Sequence, residues 1–518
     1  MGDVLNKLSN AVDNIVGVFK PLAAIKRKQA REFMSNGRYD SGCASSSSFI
    51  NYRNLVTDAD TSVAWDRTRL VSRSRDAVRN IPVATGLIKR ICDHAIGDRG
   101  LNLHPQINRN YLGLSSSEAD KWQKQAAGIW DYFSESKFSD FKKELNIAEK
   151  TYLTLQSELE GGDCFTLLTK SKKSNFDFDL SLQSLEGEFV SNPDYKSNSD
   201  KLVDGIVKNE LGQATSYWFS KYHPGSAYKK GSNAWSNRNI YDANQTRRIL
   251  HHMDIIRFGQ TRGVPVLGPV FEKLLQLGRL SKAELDASVI NSFFSLILQG
   301  DVADTEFNKK SPASYSDPGE YDKLSLGAGS IMRVSDGTKI DSFDSKRPNL
   351  SYVAFFEAMV AEIGASAGVP KSLILMSFDK SYSASRGEVL LAWVYFLSKR
   401  THMAVNFCQP VYEALIDEAV AKDMISAPGY FTSGRTRQAY LGSAYNQWTG
   451  PTRPAIDELK EAKAHELYNS MGTQSLSEIT AKTTGKDWMR VNDKLMMEHK
   501  LRVEAGLEQP ITTEEVNG

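Results

Sequence analysis

Apolar residues fall at helical spacing over most of the chain, and the places where that spacing fails mark its divisions. Leu5, Leu8, Val12, Ile15, Val16 and Phe19 recur three and four residues apart up to Pro21, which predicts a short amphipathic helix. The basic cluster Lys26, Arg27, Lys28 and Arg31 follows, then a Gly/Ser-rich connector over residues 35–49 (SNGRYDSGCASSSSF). From Thr61 the helical pattern resumes. One helix ends near Asn80-Ile81, because Pro82 drives the residue before it out of the helical region. A second runs to about Gly97 with Ala84, Leu87, Ile88, Ile91, Cys92 and Ala95 on its apolar side. Residues 118–160 are helical again, with Trp122, Ile129, Trp130, Phe133, Leu145, Ala148, Tyr152 and Leu155 marking buried faces, until Gly161-Gly162 breaks the pattern. Short alternating segments then predict strands: CFTLLTK, FDFDLSLQSL, FVSNP, GIVKNELGQATSYWFS and ILHHMDIIRF, with KNELGQAT as a hairpin turn. This middle region reads as α+β with an antiparallel sheet.

The stretch from Gly263 to Val420 organises the rest. Val270, Leu274, Leu277, Leu285, Val289, Phe293 and Leu296 predict one helix of about thirty residues, roughly 45 Å long at 1.5 Å per residue. Residues 299–348 lose that periodicity and hold Pro312, Pro318 and several glycines, with strand candidates at Ser330–Val334 and Lys339–Phe343. A second apolar helix carries Tyr352, Phe355, Phe356, Met359, Val360 and Ile363, and a polar loop (SFDKSYSASR) follows. A third begins near Gly387 and carries Leu390, Trp393, Phe396, Leu397, Val405, Cys408, Tyr412, Leu415 and Ala419, with a kink expected at Pro410. Residues 455–506 are charge-rich and helical. There Ser475 and Glu478 have capping-box spacing, and Gly485 suits a C-terminal stop.

Length and charge narrow the function classes. A chain of 518 residues exceeds one compact unit, and two to four regions are expected. Lys and Arg number 64 against 62 Asp and Glu, a balance of +2 that favours passing contact with nucleic acid over tight wrapping of it. Cys43, Cys92, Cys164 and Cys408 stand far apart with no C-x-x-C, against a zinc site or disulfide framework and in favour of a reducing compartment. No apolar run approaches a membrane span, and the N-terminus lacks a signal peptide's features, so the expected product is cytosolic when made.

Catalytic motifs match only in letters. Gly364-Ala365-Ser366-Ala367-Gly368 fits G-x-S-x-G, but the hydrolase elbow needs a strand before it. Here it ends an apolar helix, where small residues suit close packing or helix termination. Ser377-Phe378-Asp379-Lys380 fits S-x-x-K without the companion motifs, and Thr484-Gly485-Lys486-Asp487 lacks the rest of a P-loop. His251 and His252 sit beside Asp254 in a strand, where neighbours face opposite sides, which argues against a metal pair. His94, on an apolar helix, reads as a core histidine. Arg67, Arg69, Arg73, Arg75 and Arg79 fall mostly on one polar face, either a DNA-binding helix or, more commonly for such patterns, a solvated or subunit-facing surface. The N-terminal arm is likewise a membrane- or DNA-touching segment or, more commonly, a helix docked on a neighbour. The loop Asp379–Arg386 holds Lys380 and Arg386 with Tyr382 between them; one copy offers too little to bind DNA, and the commoner reading is a connector.

In order and at matching spacing, several segments resemble the lambda-type portal proteins of tailed bacteriophages. These are RSRDAVRNIPVATGLIKRICDHAIGDRGLNL, SLEGEFVSNPD, GIVKNELGQATSYWFSKYHPG, ILHHMDIIRFGQTRGVPVLGPV, GVPKSLILMSFDKSYSASRGEVLLAW, FCQPVYEALIDEAV and TGPTRPAIDELKEAKAHELYNSMGTQSLSEI with GKDW. They run from about residue 65 to 507, and the first 60 residues match poorly. The resemblance implies a mainly helical α+β portal-type fold. In it, 61–265 form a wing, 266–298 the first stem helix, 299–348 a small β-containing clip, and 349–375 the second stem helix and return. Residues 376–386 form a channel-facing tunnel loop, 387–454 a kinked wing helix and the segment after it, 455–510 a helical crown and 511–518 a tail. Residues 1–60 are left as an arm and flexible connector.

The implied function is a ring, normally of twelve subunits, at one capsid vertex of the virion. Double-stranded DNA enters through it under terminase and later leaves, and the ring serves as the head–tail attachment platform. Implied partners are further copies of the chain, DNA, the terminase large subunit, a head–tail adaptor, and the major capsid and scaffold proteins, with no membrane. No enzymatic activity, catalytic residue, cofactor or metal is implied. The tunnel loop maps to Asp379, Lys380, Ser381, Tyr382, Ser383, Ser385 and Arg386, and the helix kink to Pro410; a collar of Lys380 and Arg386 would attract phosphate at long range. The rival readings are a serine hydrolase or head-maturation protease using Ser366, and a monomeric DNA-binding scaffold using the arginines of residues 67–79.

Overall fold

The computed structural model describes residues 57–507, apart from 65, 228–233, 244, 294–296, 299–331, 334–350, 378–380 and 454–456. The chain divides into two units, residues 1–62 and 63–518. The predicted N-terminal helix and connector lie outside the described residues. In the first unit, Asp58 accepts a hydrogen bond from the Thr61 amide (3.2 Å).

The second unit is mainly helical α+β. Helix α1 (Arg67–Asn80) stops where expected, with Ile81 extended and Pro82 opening α2 (Pro82–Ala95), whose Ala84, Leu87, Ile88, Ile91, Cys92 and Ala95 are all buried. Helices α3 (Ser116–Glu135) and α4 (Ile147–Gly161) each begin with a reciprocal capping box, Ser115 with Glu118 and Asn146 with Glu149. Gly162, at φ +85, ends α4. Trp122, Trp130, Phe133 and Leu155 join one large core with residues of α2 and of the helices after residue 400.

Among the described residues, the strands of this middle region form two sheets where the sequence suggested one. β1 (Asp163–Lys170) pairs antiparallel with β2 (Leu180–Glu186), and on its other edge with Ile249–Met253. The second sheet comprises β3 (Leu202–Val203), β4 (Ile206–Lys208), β5 (Ala214–Ser220) and β6 (Trp235–Asn239), in that order and antiparallel throughout. Ile249–Met253 is β7. The hairpin between β4 and β5 turns on Asn209, which accepts from the Leu211 and Gln213 amides (3.0 and 2.9 Å). The predicted strand FVSNP is instead two 3₁₀ turns, Gly187–Phe189 and Pro193–Tyr195. The Asn192 side chain donates to Lys196 O (2.8 Å) and accepts from the Gly205 amide (2.6 Å), and Pro193 has no amide for a ladder. Phe165, Leu167, Val190, Ile206, Tyr217, Phe219, Ile240 and Ile249 fill a smaller second core linking the sheets.

Beyond the sheets, a 3₁₀ turn at Gly268–Val270 leads into α5 (Phe271–Phe293). Its described span has 23 residues, about 35 Å, and begins just after Pro265 and Pro269; residues 294–296, at the end of the predicted helix, lie outside the described residues. Of residues 299–348 only Met332–Arg333 are described, a strand parallel to Ile297–Leu298; the Lys339–Phe343 candidate lies outside the described residues. α6 (Tyr352–Ser366) and a short helix α7 (Lys371–Leu375) follow, and α8 spans Tyr382–Met403. A π-helical turn at Ala404–Cys408 joins α8 to α9 (Gln409–Ala421). The Gln409 amide reaches back five residues to Ala404 O, so the irregularity expected at Pro410 takes the form of a wide turn just before it.

Three further helices, α10 (Glu458–Ser470), α11 (Leu476–Thr484) and α12 (Trp488–Glu504), hold no buried residue. The Ser475–Glu478 capping box and the Gly485 stop (φ +68) are both present. No helix among the described residues is long and apolar enough to cross a membrane.

Candidate functional site

The site is built on the α5–α6 pair and the turn that returns the chain to α8. The two helices run antiparallel: Lys273 on α5 pairs with Glu362 on α6, while farther along α5 Ser281 Oγ accepts from Tyr352 OH (2.8 Å). Near the body the pair is packed, with Leu274, Leu277, Val360 and Ile363 buried. Toward the far end it is bare: Leu285 is 63% exposed, Val353 62% and Phe355 54%. Apolar faces left open on a helix pair mark an interaction surface.

Ser366, the centre of the G-x-S-x-G match, lies in the last turn of α6 and donates its hydroxyl to Ile363 O (2.8 Å). Its glycines terminate the helix. A Cβ on Gly364 would stand 2.1 Å from Val369 O, and Gly368 has φ +66 beneath the Tyr395 ring. α7 then docks Leu373 and Ile374 into the core, with Lys371 paired to Glu357 and Ser372 donating to Glu388 (2.5 Å). Met376 adopts a left-handed conformation at φ +53, with Arg90 donating to its sulfur (3.3 Å).

Asp379 and Lys380, along with Phe378, lie outside the described residues. Ser381 is exposed and extended at the head of α8, and its carbonyl accepts from the Ser385 amide (3.0 Å). Tyr382, Ser383, Ser385 and Arg386 therefore belong to the first turns of α8, which corrects the 376–386 loop boundary and the helix start at Gly387. The polar run Tyr-Ser-Ala-Ser-Arg lacks apolar periodicity, but a serine ahead of a helix is a favoured N-cap position. Arg386 faces Glu461 of α10 (3.9 Å), which Arg453 also approaches (3.2 Å). Its charge is shared with an acid of its own subunit.

The arginine face of α1 is also corrected. Arg67 is buried against Asp163 (2.9 Å), and Arg75 bridges Glu188 (2.8 Å) and Glu186 (3.4 Å). Arg73 lies over the Phe271 ring at 5.8 Å, and only Arg69, Arg73 and Arg79 are exposed. His94 is half-buried, stacked on Phe396 at 4.9 Å, and burial lowers its pKa.

Sequence reasoning missed a heavily bonded buried cluster among the described residues. Asp163 is fully buried and binds Arg262 through both oxygens (2.6 and 3.1 Å), Arg67, the Gly263 amide (3.2 Å) and His251 Nε2 (3.3 Å). Arg262 also donates to Gly187 O (2.6 Å), Asp204 O (2.7 Å) and Val190 O (3.0 Å). Burial alone would raise the Asp163 pKa, but Arg262 and Arg67 hold it well below the carboxylate range. Beside it Gly162 and Gly263 meet back to back: a Cβ on Gly263 would stand 1.8 Å from Gly162 O. These contacts fix α1, β1, the 3₁₀ segment and the root of α5 to one another. The Gly-Gly break was the one visible signal; the ion pairs join residues about a hundred positions apart.

His251 and His252 do face opposite sides. His251 stacks on Phe165 at 4.3 Å, and His252 meets Thr166 Oγ1 (3.0 Å) in the other core. Elsewhere Glu186, Glu188 and His223 bring ligand-type atoms within 4.8 Å of one another. Arg75 already occupies both carboxylates, and His223 Nδ1 accepts from the Gly225 amide (3.1 Å), which leaves the proton of a neutral ring on Nε2. That donor set does not fit a cation.

A family model described as phage portal protein, lambda family, matches residues 47–400. Portal protein B of Escherichia phage lambda is 22% identical over 473 residues, covering 87% of both chains. The portal protein of Escherichia phage N15 is 21% identical over 481 residues, covering 87% of this chain and 88% of its own. Among solved structures, a chain of the virion of the native gene transfer agent particle aligns with TM-score 0.42 at 13% identity, covering 80% of this chain and 92% of that one. A chain from the neck of the native particle, computed with C12 symmetry, aligns over the same shares with TM-score 0.41 and 13% identity.

Proposed function

The chain belongs to the lambda family of phage portal proteins, and from that premise we propose that twelve copies close into a ring at one capsid vertex of the virion. Double-stranded DNA passes through the ring's centre, inward under the terminase large subunit and outward at ejection. The far end of the α5–α6 pair, with residues 299–348, forms the clip that receives terminase and then the head–tail adaptor. Residues 61–265 form the wing, and 455–510 the crown, toward the capsid interior with its shell and scaffold proteins. Residues 376–381 are the segment that meets passing DNA, with Lys380 as its basic residue.

The observation that supports this reading is the bare outer half of the α5–α6 pair. Leu285, Val289, Val353 and Phe355 are apolar and at least two-fifths exposed in one chain, and neighbours in a ring would cover them. The protein acts by geometry and carries no chemistry of its own. A near-neutral chain suits that role, because many phosphate contacts would hold DNA that has to slide. A phage lacking this gene should build heads that contain no DNA and bear no tails, with both defects restored by the gene in trans. DNA-filled, tailed heads without it would contradict the proposal.

A further inference from the structure

Between β7 and the root of α5 the chain makes a short projecting loop. Ile255 is 64% exposed, Ile256 70% and Phe258 wholly so. The loop is nonetheless rigidly built. Gln260 Oε1 accepts from the Ile256 and Arg257 amides (3.0 and 3.3 Å), and its Nε2 donates to Asp254 O (3.4 Å) and Arg262 O (2.9 Å). Asp254 is pinned by Lys399 (2.5 Å), and Gly259 closes the turn at φ +81. Three large apolar side chains held in water by a fixed backbone form an ordered knob, for which the entropy of ordering is already spent.

A cleft of about 530 Å³ lies at the other end of α4. Leu145, Tyr152, Leu153 and Pro451 give it apolar lining, and the carboxylates of Asp93, Asp98 and Glu149 line it as well. The first half of α4 lines this cleft. Its last turn leads into Asp163, which lies opposite Met253, the residue just before the knob. A rigid helix thus separates knob and cleft by roughly 15–20 Å at 1.5 Å per residue, so a chain cannot fill its own cleft. Arg257 brings a positive charge among the knob's apolar residues, opposite in sign to the carboxylates that line the cleft. Two different, complementary patches on one chain make a heterologous contact, the kind that generates rings.

We infer that Ile255, Ile256 and Phe258 of each copy seat in the Leu145–Leu153–Pro451 cleft of the next, forming a wing-level contact between neighbouring subunits. The inference rests on the ring reading and adds which surfaces meet. The test uses full-length protein with Cys43→Ser, since Cys92, Cys164 and Cys408 are buried. In that background Phe258→Cys and Leu153→Cys are combined, assembled with scaffold and shell protein, and treated with a short bis-maleimide. The expected result is a ladder of covalent oligomers on a denaturing gel, absent from either single variant, and a severalfold loss of rings in Phe258→Asp. Rings that form normally without cross-linking, and a Phe258→Asp variant that assembles like wild type, would overturn this contact and leave the ring intact. Failure of the unmodified protein to form rings would overturn the ring reading and this inference with it.

Discussion

At the scale of single residues, Asp163 is the centre of a buried cluster of charge, separate from buried pairs such as Lys150 with Asp140. Asp163 ties Arg67, Arg262 and His251 together, and removing Arg262 leaves the Asp163 carboxylate and the Arg67 guanidinium charged and dry. Arg262→Ala should therefore lower stability by about 3–5 kcal/mol, read as a large drop in the thermal midpoint; an unchanged midpoint would remove this cluster from the account. His252 acts through pH. Burial, helped by the neighbouring His251, holds its imidazole well below the ordinary range. The unfolded chain takes up that proton as pH falls through about 6.5, while folded His252 stays neutral. The unfolded state then binds more protons, so stability present above that value is lost on acidification. His252→Gln should flatten the stability slope between about pH 6.5 and 5, measured by denaturant midpoints; an unaltered slope would contradict it. Ser366, whose hydroxyl is engaged by its own helix, should tolerate Ala with no loss of phage yield, and a yield defect would revive the hydrolase reading.

At the scale of elements, periodicity located most of the helices and failed for identifiable reasons. The breaks at Pro82 and Gly162 and the caps at Ser475 and Gly485 were legible because local backbone chemistry decides them. The start of α8 was not, since Tyr382–Arg386 form a helical turn without an apolar face. Arg67 was placed on a polar face because its partner Asp163 lies 96 positions away, and no local pattern reveals such a pair. The second sheet was missed because strand spacing alone does not say which strands share a ladder. Of the residues proposed for the tunnel loop, Arg386 already faces Glu461, which divides the expected phenotypes. Lys380→Ala should reduce packaged DNA severalfold with rings intact, measured by nuclease-protected DNA per head. Arg386→Ala should instead loosen residues 458–504, measured by their protease sensitivity, with packaging less affected. The reverse pattern would reassign the DNA-facing role to Arg386.

At the scale of the whole molecule, the subunit is unfinished by itself. The outer half of α5–α6, the loop at Ile255–Phe258 and the helices α10–α12 all leave large apolar side chains in water, among them Leu467, Met497 and Leu501. A single chain has no use for three such surfaces, whereas a ring would bury them against its neighbours. End-on electron micrographs of the full-length protein assembled with its scaffold and shell proteins test this most directly. The account predicts closed rings with twelve-fold symmetry and an open centre wide enough for a DNA duplex; particles of one 57.7 kDa chain, or closed assemblies with no central opening, would contradict it.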